Sequence, residues 1–101
     1  MKTIILTRHA KSDWSNLYLS DFDRELNHRG LHDAPLMGKR LALRKILPDL
    51  IIASTAKRAA QTAELIADNC QYDKETIQWD INLYHAPPTR IQEVIYAIPD
   101  S

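Results

Sequence analysis

Two residues that could do chemistry stand side by side near the amino terminus. Arg8 is a planar cation with a fork of N–H donors, and His9 is a nucleophilic imidazole. Arginine pairs bidentately with phosphate oxygens and stabilises charge that develops on them, and a neutral imidazole can attack phosphorus. Groups of the same kind recur twice along the chain. Ser54-Thr55-Ala56-Lys57-Arg58 places cations at a predicted helix start, and Tyr84-His85 places a second imidazole in a predicted loop. If these segments converge, Arg8, His9, Arg58 and His85 surround one crevice suited to binding phosphate and accepting it on His9. Neighbouring cations would depress the pKa of the imidazole and favour its neutral form. The competing reading of Arg8-His9 alone is a surface loop, polar without being catalytic.

Convergence depends on the elements that hold these residues. Residues 3–7, Thr-Ile-Ile-Leu-Thr, are β-branched and apolar and predict a short buried strand. Arg8 and His9 follow its carboxyl end, where ligands bind in open α/β sheets. A polar and aromatic loop spans 11–26; Asp21-Phe22-Asp23-Arg24 within it reads as a local ion pair. Asn27 predicts an N-cap, and Leu31, Ala34, Gly38, Leu41 and Ala42 form one helical stripe. Pro35 predicts a kink or a restart, and Gly38 a close approach to the sheet. Arg44-Lys45 and Pro48 end the helix.

Residues 49–53 predict a second strand, completing a right-handed βαβ unit. Ser54-Thr55 then cap a helix over about 56–69, with Ala56, Ala59, Ala60, Ala63, Ile66, Ala67 and Cys70 buried. Lys57 and Arg58 oppose the helix dipole in its first turn, costing about 0.3–1 kcal/mol if uncompensated. A bound anion there would resolve the conflict, as would side chains extended into water. Residues 76–81 read as a third strand and 82–88 as a loop at its carboxyl end. Thr89 is placed to cap a last helix with Ile91, Val94, Ile95 and Ile98 on its apolar side, and Pro99 ends it. The fold class is α/β, three-layer α/β/α with a mostly parallel sheet.

Composition narrows the function classes. A length of 101 residues allows one domain, and a formal net charge of zero provides no global field for nucleic acid or membrane. One cysteine, Cys70, excludes an internal disulfide and fits a reducing compartment. The amino terminus has no signal-peptide pattern and no apolar run has membrane-spanning length, so a cytoplasmic domain is expected. His28 and His32, four apart on one helix face, could start a metal site, but no third ligand stands near; a solvent-facing helix is the alternative.

Ordered blocks along the chain resemble one family. They are Arg8-His9-Ala10-Lys11-Ser12-Asp13-Trp14, Asp21-Phe22-Asp23-Arg24-Glu25-Leu26-Asn27-His28-Arg29-Gly30 and Asp33-Ala34-Pro35-Leu36-Met37-Gly38. Pro48-Asp49-Leu50-Ile51-Ile52-Ala53-Ser54-Thr55-Ala56-Lys57-Arg58-Ala59-Ala60-Gln61-Thr62-Ala63-Glu64 and Leu83-Tyr84-His85-Ala86 follow. Together they resemble the histidine phosphatase superfamily, which includes cofactor-dependent phosphoglycerate mutases, and most closely its SixA-type phosphohistidine phosphatases. The resemblance implies a phosphoglycerate mutase-like fold and a metal-independent, cofactor-free hydrolase with His9 as phosphate acceptor. It makes Arg8 and Arg58 the phosphate clamps, with Ser15 or Asn16 lining the pocket; His85 joins the phosphate-binding set by its place in the third-strand loop.

Two departures from the family pattern stand out. Mutase-like members carry a glutamate proton donor in the loop after the third strand, and Asn82-Leu83-Tyr84-His85 has none. A phosphohistidine leaving group needs little acid assistance, and Asp21, Asp23 or His85 could substitute. The family's second histidine, in a Gly-His-Asn-like motif on a later strand, would fall beyond Ser101. The resemblance therefore implies the N-terminal two-thirds of one domain, residues 1–101, truncated after the third strand and following helix. The expected function is hydrolysis of phosphohistidine or a phosphomonoester; the alternative is a non-catalytic phosphate- or phosphoprotein-binding module. The expected partner is a phosphorylated protein such as a histidine phosphotransfer domain, or a small phosphoester. An exposed sheet edge would also favour a homodimer.

Overall fold

The computed structural model describes residues 5–7, 13 and 20–98. Helix α1 spans His28–Leu43, and the Asn27 side chain caps it by accepting the Gly30 N–H at 2.9 Å. The helix continues through Pro35 as one element, where a kink or restart was expected. Its buried seam is Gly30, Ala34 and Gly38, spaced by four, whereas Leu31 is exposed. The seam is built from the smallest residues because α1 lies against a second helix, α2 (Lys57–Asn69), at very short range. A Cβ on Gly38 would sit 2.6 Å from the Ile66 carbonyl oxygen and 2.8 Å from Asn69 Cβ. Gly38 thus serves a helix–helix contact rather than the helix–sheet contact expected of it. At the far end, Lys45 takes a left-handed conformation (φ 57°), and the Ile46 and Lys45 N–H groups bond the Leu41 and Ala42 carbonyls. This is a Schellman closure with lysine where glycine is usual.

The sheet among the described residues is a parallel pair, β1 (Ile52–Ala53) and β2 (Gln78–Trp79), with Ile52 opposite Gln78 and Ala53 opposite Trp79. The Gln78 and Asp80 N–H groups extend the ladder to the Ile51 and Ala53 carbonyls at 2.9 and 2.8 Å. Both strands are shorter than the apolar runs suggest. Asp73 and Asp80 each bond the amide two residues on and cap 3₁₀ turns at Lys74–Thr76 and Ile81–Leu83, which clip β2 at both ends. Residues 5–7, the described part of the expected first strand, pair with no strand among the described residues. Ile5 and Leu6 are exposed rather than buried. A strand is a property of pairing, which an apolar run alone does not supply.

Alternation along the strands separates two faces. Ala53 and Ile77 join Ala63 and Ala67 of α2 in the core, with Ile51 and Tyr72 packed against it. Ile52 and Gln78 instead line a groove of about 360 Å³ bordered by Val94 and Ile98. Val94 belongs to α3 (Pro88–Tyr96), which borders this groove on the face away from α2, and β1–α2–β2 is a βαβ unit. Helix α3 starts on Pro88 with Pro87 as N-cap and no side-chain cap bond; Thr89, the expected cap, lies inside the first turn. Proline fits there because its missing N–H would be unpaired anyway.

Helix α2 begins at Lys57 with Ala56 as N-cap and no side-chain cap bond, in place of the expected Ser54-Thr55 cap. The Ser54 hydroxyl accepts the Ala56 N–H at 3.1 Å instead. The expected apolar face is buried at Ala56, Ala63, Ile66, Ala67 and Cys70 and half-buried at Ala59 and Ala60. Two polar residues, Arg58 and Thr62, are buried with it. The Thr62 hydroxyl donates to the Arg58 carbonyl one turn back at 2.7 Å.

Candidate active site

The buried polar start of α2 is where the chemistry-bearing residues meet. Asp21 begins a 3₁₀ turn, Asp21–Asp23, fixed by Ser20, whose hydroxyl accepts the Asp23 N–H and donates to the Asp23 carboxylate at 2.7 Å. The turn directs Asp23 to Ser20 and Asp21 towards α2. The Leu26 N–H, donating to Gln61 Oε1 at 2.7 Å, ties the same segment to α2 further along. Arg58 Nη1 donates to the Asp21 carbonyl at 2.5 Å and Nη2 to Asp21 Oδ2 at 2.9 Å. The guanidinium has five N–H donors in one plane, and Asp21 takes two in a fixed orientation.

The loop after β2 completes the cluster. The Tyr84 hydroxyl donates to Asp21 Oδ2 at 2.7 Å, and His85 Nε2 lies 2.8 Å from the same oxygen. Phe22 meets the Tyr84 ring edge-on at 5.0 Å, His85 leans on it at 4.2 Å, and the Arg58 guanidinium lies over it at 5.8 Å. His85 adopts φ 50°, an uncommon conformation for a residue with a Cβ, and its side chain is 65% exposed.

Electrostatics follow from this convergence. Asp21 is lowered from 3.8 to about 2, chiefly by the Tyr84 hydrogen bond, then by Arg58 and His85, against the opposing effect of burial. It is a carboxylate throughout the physiological range. The Tyr84 phenol is pushed up because losing its proton would break the bond to Asp21 and put two anions together. The conflict at the start of α2 is resolved internally: Asp21 neutralises Arg58, and Glu25 lies 3.0 Å from Lys57. A bound anion and side chains extended into water were the expected alternatives; two of the chain's own carboxylates take that place. The expected local ion pair within 21–24 is likewise replaced by one spanning to Arg58, while buried Arg24 reaches towards the Asp13 carbonyl.

Of the residues expected at the site, Arg58 and His85 are brought together on one carboxylate oxygen. Arg8, His9, Ser15 and Asn16 lie outside the described residues. Asp21 and Tyr84 gain organising roles that the sequence did not assign. The available signal was Arg58 itself, a cation at a helix start in need of an acid, but that acid stands 37 residues away. His28 and His32 are exposed on α1, and no group of three or more His, Cys, Asp or Glu side chains among the described residues is arranged to hold a metal.

The model of the histidine phosphatase superfamily (branch 1) matches residues 4–87. The chain is 38% identical over 72 residues to the 2,3-bisphosphoglycerate-dependent phosphoglycerate mutase of Mycobacterium leprae, covering 69% of this chain and 29% of the mutase. It is 39% identical over 74 residues to the mitochondrial serine/threonine-protein phosphatase Pgam5 of Drosophila ananassae, covering 73% of this chain and 25% of that protein. The fold superposes on the crystal structure described as the putative phosphohistidine phosphatase SixA from Agrobacterium tumefaciens with a TM-score of 0.79 and 33% identity, covering 88% of this chain and 56% of that one. The chain thus spans a quarter to a third of the length of these two curated relatives and just over half of the solved neighbour. Matched over residues 4–87, with a parallel α/β frame like that of its solved neighbour, the chain belongs to the histidine phosphatase superfamily, branch 1.

Proposed function

We propose that this chain carries the phosphate-handling part of a SixA-type phosphatase, which hydrolyses phosphohistidine or a phosphomonoester through a covalent intermediate on His9. The observation that carries the reading is the buried Arg58, gripped at 2.9 Å by Asp21 and faced by Tyr84 and His85 in a member of this superfamily. A guanidinium held in one plane is suited to bind phosphate oxygens and stabilise the charge that grows on them. In this reading Arg8 is the second clamp, Ser15 and Asn16 line the pocket, and His85 contacts substrate. His9 attacks phosphorus, the leaving group departs, and water hydrolyses the phospho-histidine, with no metal or cofactor required.

The proposed substrate is a phosphorylated protein, such as a histidine phosphotransfer domain, or a small phosphoester. The proposed setting is the cytoplasm, consistent with one free, buried cysteine and with the absence, among the described residues, of a helix long and apolar enough to cross a membrane. A second copy of the chain, paired through a sheet edge, is the proposed assembly partner.

Steady-state hydrolysis of a phosphohistidine peptide and of p-nitrophenyl phosphate by a full-length family domain that contains this chain tests the function. Turnover is expected, with losses of about 100-fold or more in Arg58→Ala and His9→Ala. Absence of turnover on both substrates overturns the phosphatase reading. If phosphate nevertheless raises the melting temperature, the non-catalytic binding module takes its place.

A further inference from the structure

Helix α1 is built inside out. The face against α2 is Gly30, Ala34 and Gly38, while Leu36, Met37 and Leu43 are 38%, 42% and 83% exposed. Ile46 and Leu47, just past the helix end, are exposed as well. Five of the eleven exposed large hydrophobic residues therefore fall within 36–47. Exposed apolar side chains scattered singly need no explanation, but a concentration of them marks a surface that meets something.

The same stretch is cationic. Residues 28–47 hold Arg29, Lys39, Arg40, Arg44 and Lys45 against one acid, Asp33, in a chain whose formal net charge is zero. Asp33 pairs with Arg29 at 3.4 Å. Lys39, Arg40, Arg44 and Lys45 are exposed, and none of them enters an ion pair among the described residues.

Helical spacing arranges the two features together. Leu36 and Leu43 stand seven apart, two turns along one line of the helix. Lys39 lies on one side of that line and Arg40 on the other, each three or four residues from both leucines. Leucines at heptad spacing with charges beside them suit a helix–helix seam. A lipid surface calls for a broad apolar face, and here two cations break the face between the leucines. The free charge is all of one sign, so the complementary helix is acidic.

We infer that the outer face of α1 docks an acidic amphipathic helix of another protein, with its apolar anchors on Leu36 and Leu43 and its carboxylates on Lys39, Arg40 and Arg44. Gly38 meets Ile66 and Asn69, at the opposite end of α2 from Arg58, so this surface lies apart from the candidate active site. Its test needs no turnover and stands or falls separately from the phosphatase reading.

Fluorescence anisotropy tests it on a full-length family domain that contains this chain. The probe is a labelled helical peptide with leucines at heptad positions and glutamates flanking them. Saturable binding that weakens with added salt is expected. Leu43→Ser and Arg40→Glu should each weaken it about tenfold. Both side chains are exposed, so melting temperatures should stay unchanged. A peptide with lysines on one flank should bind Arg40→Glu better than it binds the unmutated domain. Absence of saturable binding, or equal binding of a polyglutamate peptide without leucines, overturns the docking helix. So does binding to phosphatidylserine vesicles, lost in both variants, where the peptide does not bind.

Discussion

Asp21 Oδ2 accepts from Arg58, Tyr84 and His85, so the charge on one carboxyl governs three side chains from two other segments. Its folded-state pKa, about 2, lies below the ordinary 3.8. The stabilisation is therefore fully present above pH 3.8 and is lost as pH falls through about 2. Thermal melts across this window should show a steeper acid loss for the natural chain than for Asp21→Asn; parallel curves would remove Asp21 from that role. Tyr84→Phe keeps the ring against Phe22 but deletes the largest contributor to the shift. Its acid transition should move to higher pH, and an unmoved midpoint would contradict the assignment. Arg58 and His85 were legible as candidates because cations and imidazoles at strand ends advertise themselves by type. Asp21 was visible as a neighbour of Arg24 and as one of three possible proton donors, but not as the partner of Arg58, since a pairing across 37 residues leaves no local trace.

At the scale of elements, the α1–α2 contact turns on Gly38. Alanine is the better helix former by about 1 kcal/mol. Its Cβ would nevertheless meet α2 backbone at 2.6 Å, and backbone yields less readily than a side-chain tip. Gly38→Ala should destabilise the fold by about 1–3 kcal/mol in urea unfolding; a neutral or stabilising result would mean the helices separate freely. Both long helices were legible from their periodicity and from Asn27. The depth of burial was less so: Leu31 fits the stripe but falls outside a seam chosen for close approach. The strands were legible as apolar runs but not in length, because the Asp73 and Asp80 side chains compete for the amides that would extend β2.

At the scale of the molecule, the parallel frame brings the start of α2 and the loop after β2 to one end, which is what the carboxyl-end rule for α/β sheets anticipates. The α/β class was legible from the alternation of helical and apolar segments. The expected first strand was not borne out at residues 5–7, where an apolar run lacks a paired neighbour among the described residues. Trp79 and Ile81 are 43% and 55% exposed beside the short sheet, next to the groove under α3. Sheet edges unpaired among the described residues and flanked by exposed apolar side chains favour association between copies. Light scattering should show mass rising with protein concentration; a constant monomer mass would contradict the proposed pairing.

The most direct test of the central claim is mass spectrometry of a full-length family domain that contains this chain, quenched in alkali during turnover of p-nitrophenyl phosphate and mapped by peptide. One phosphoryl group on His9, absent from the His9→Ala protein, is the expected result. Turnover that leaves no phosphoryl group on His9 would contradict it.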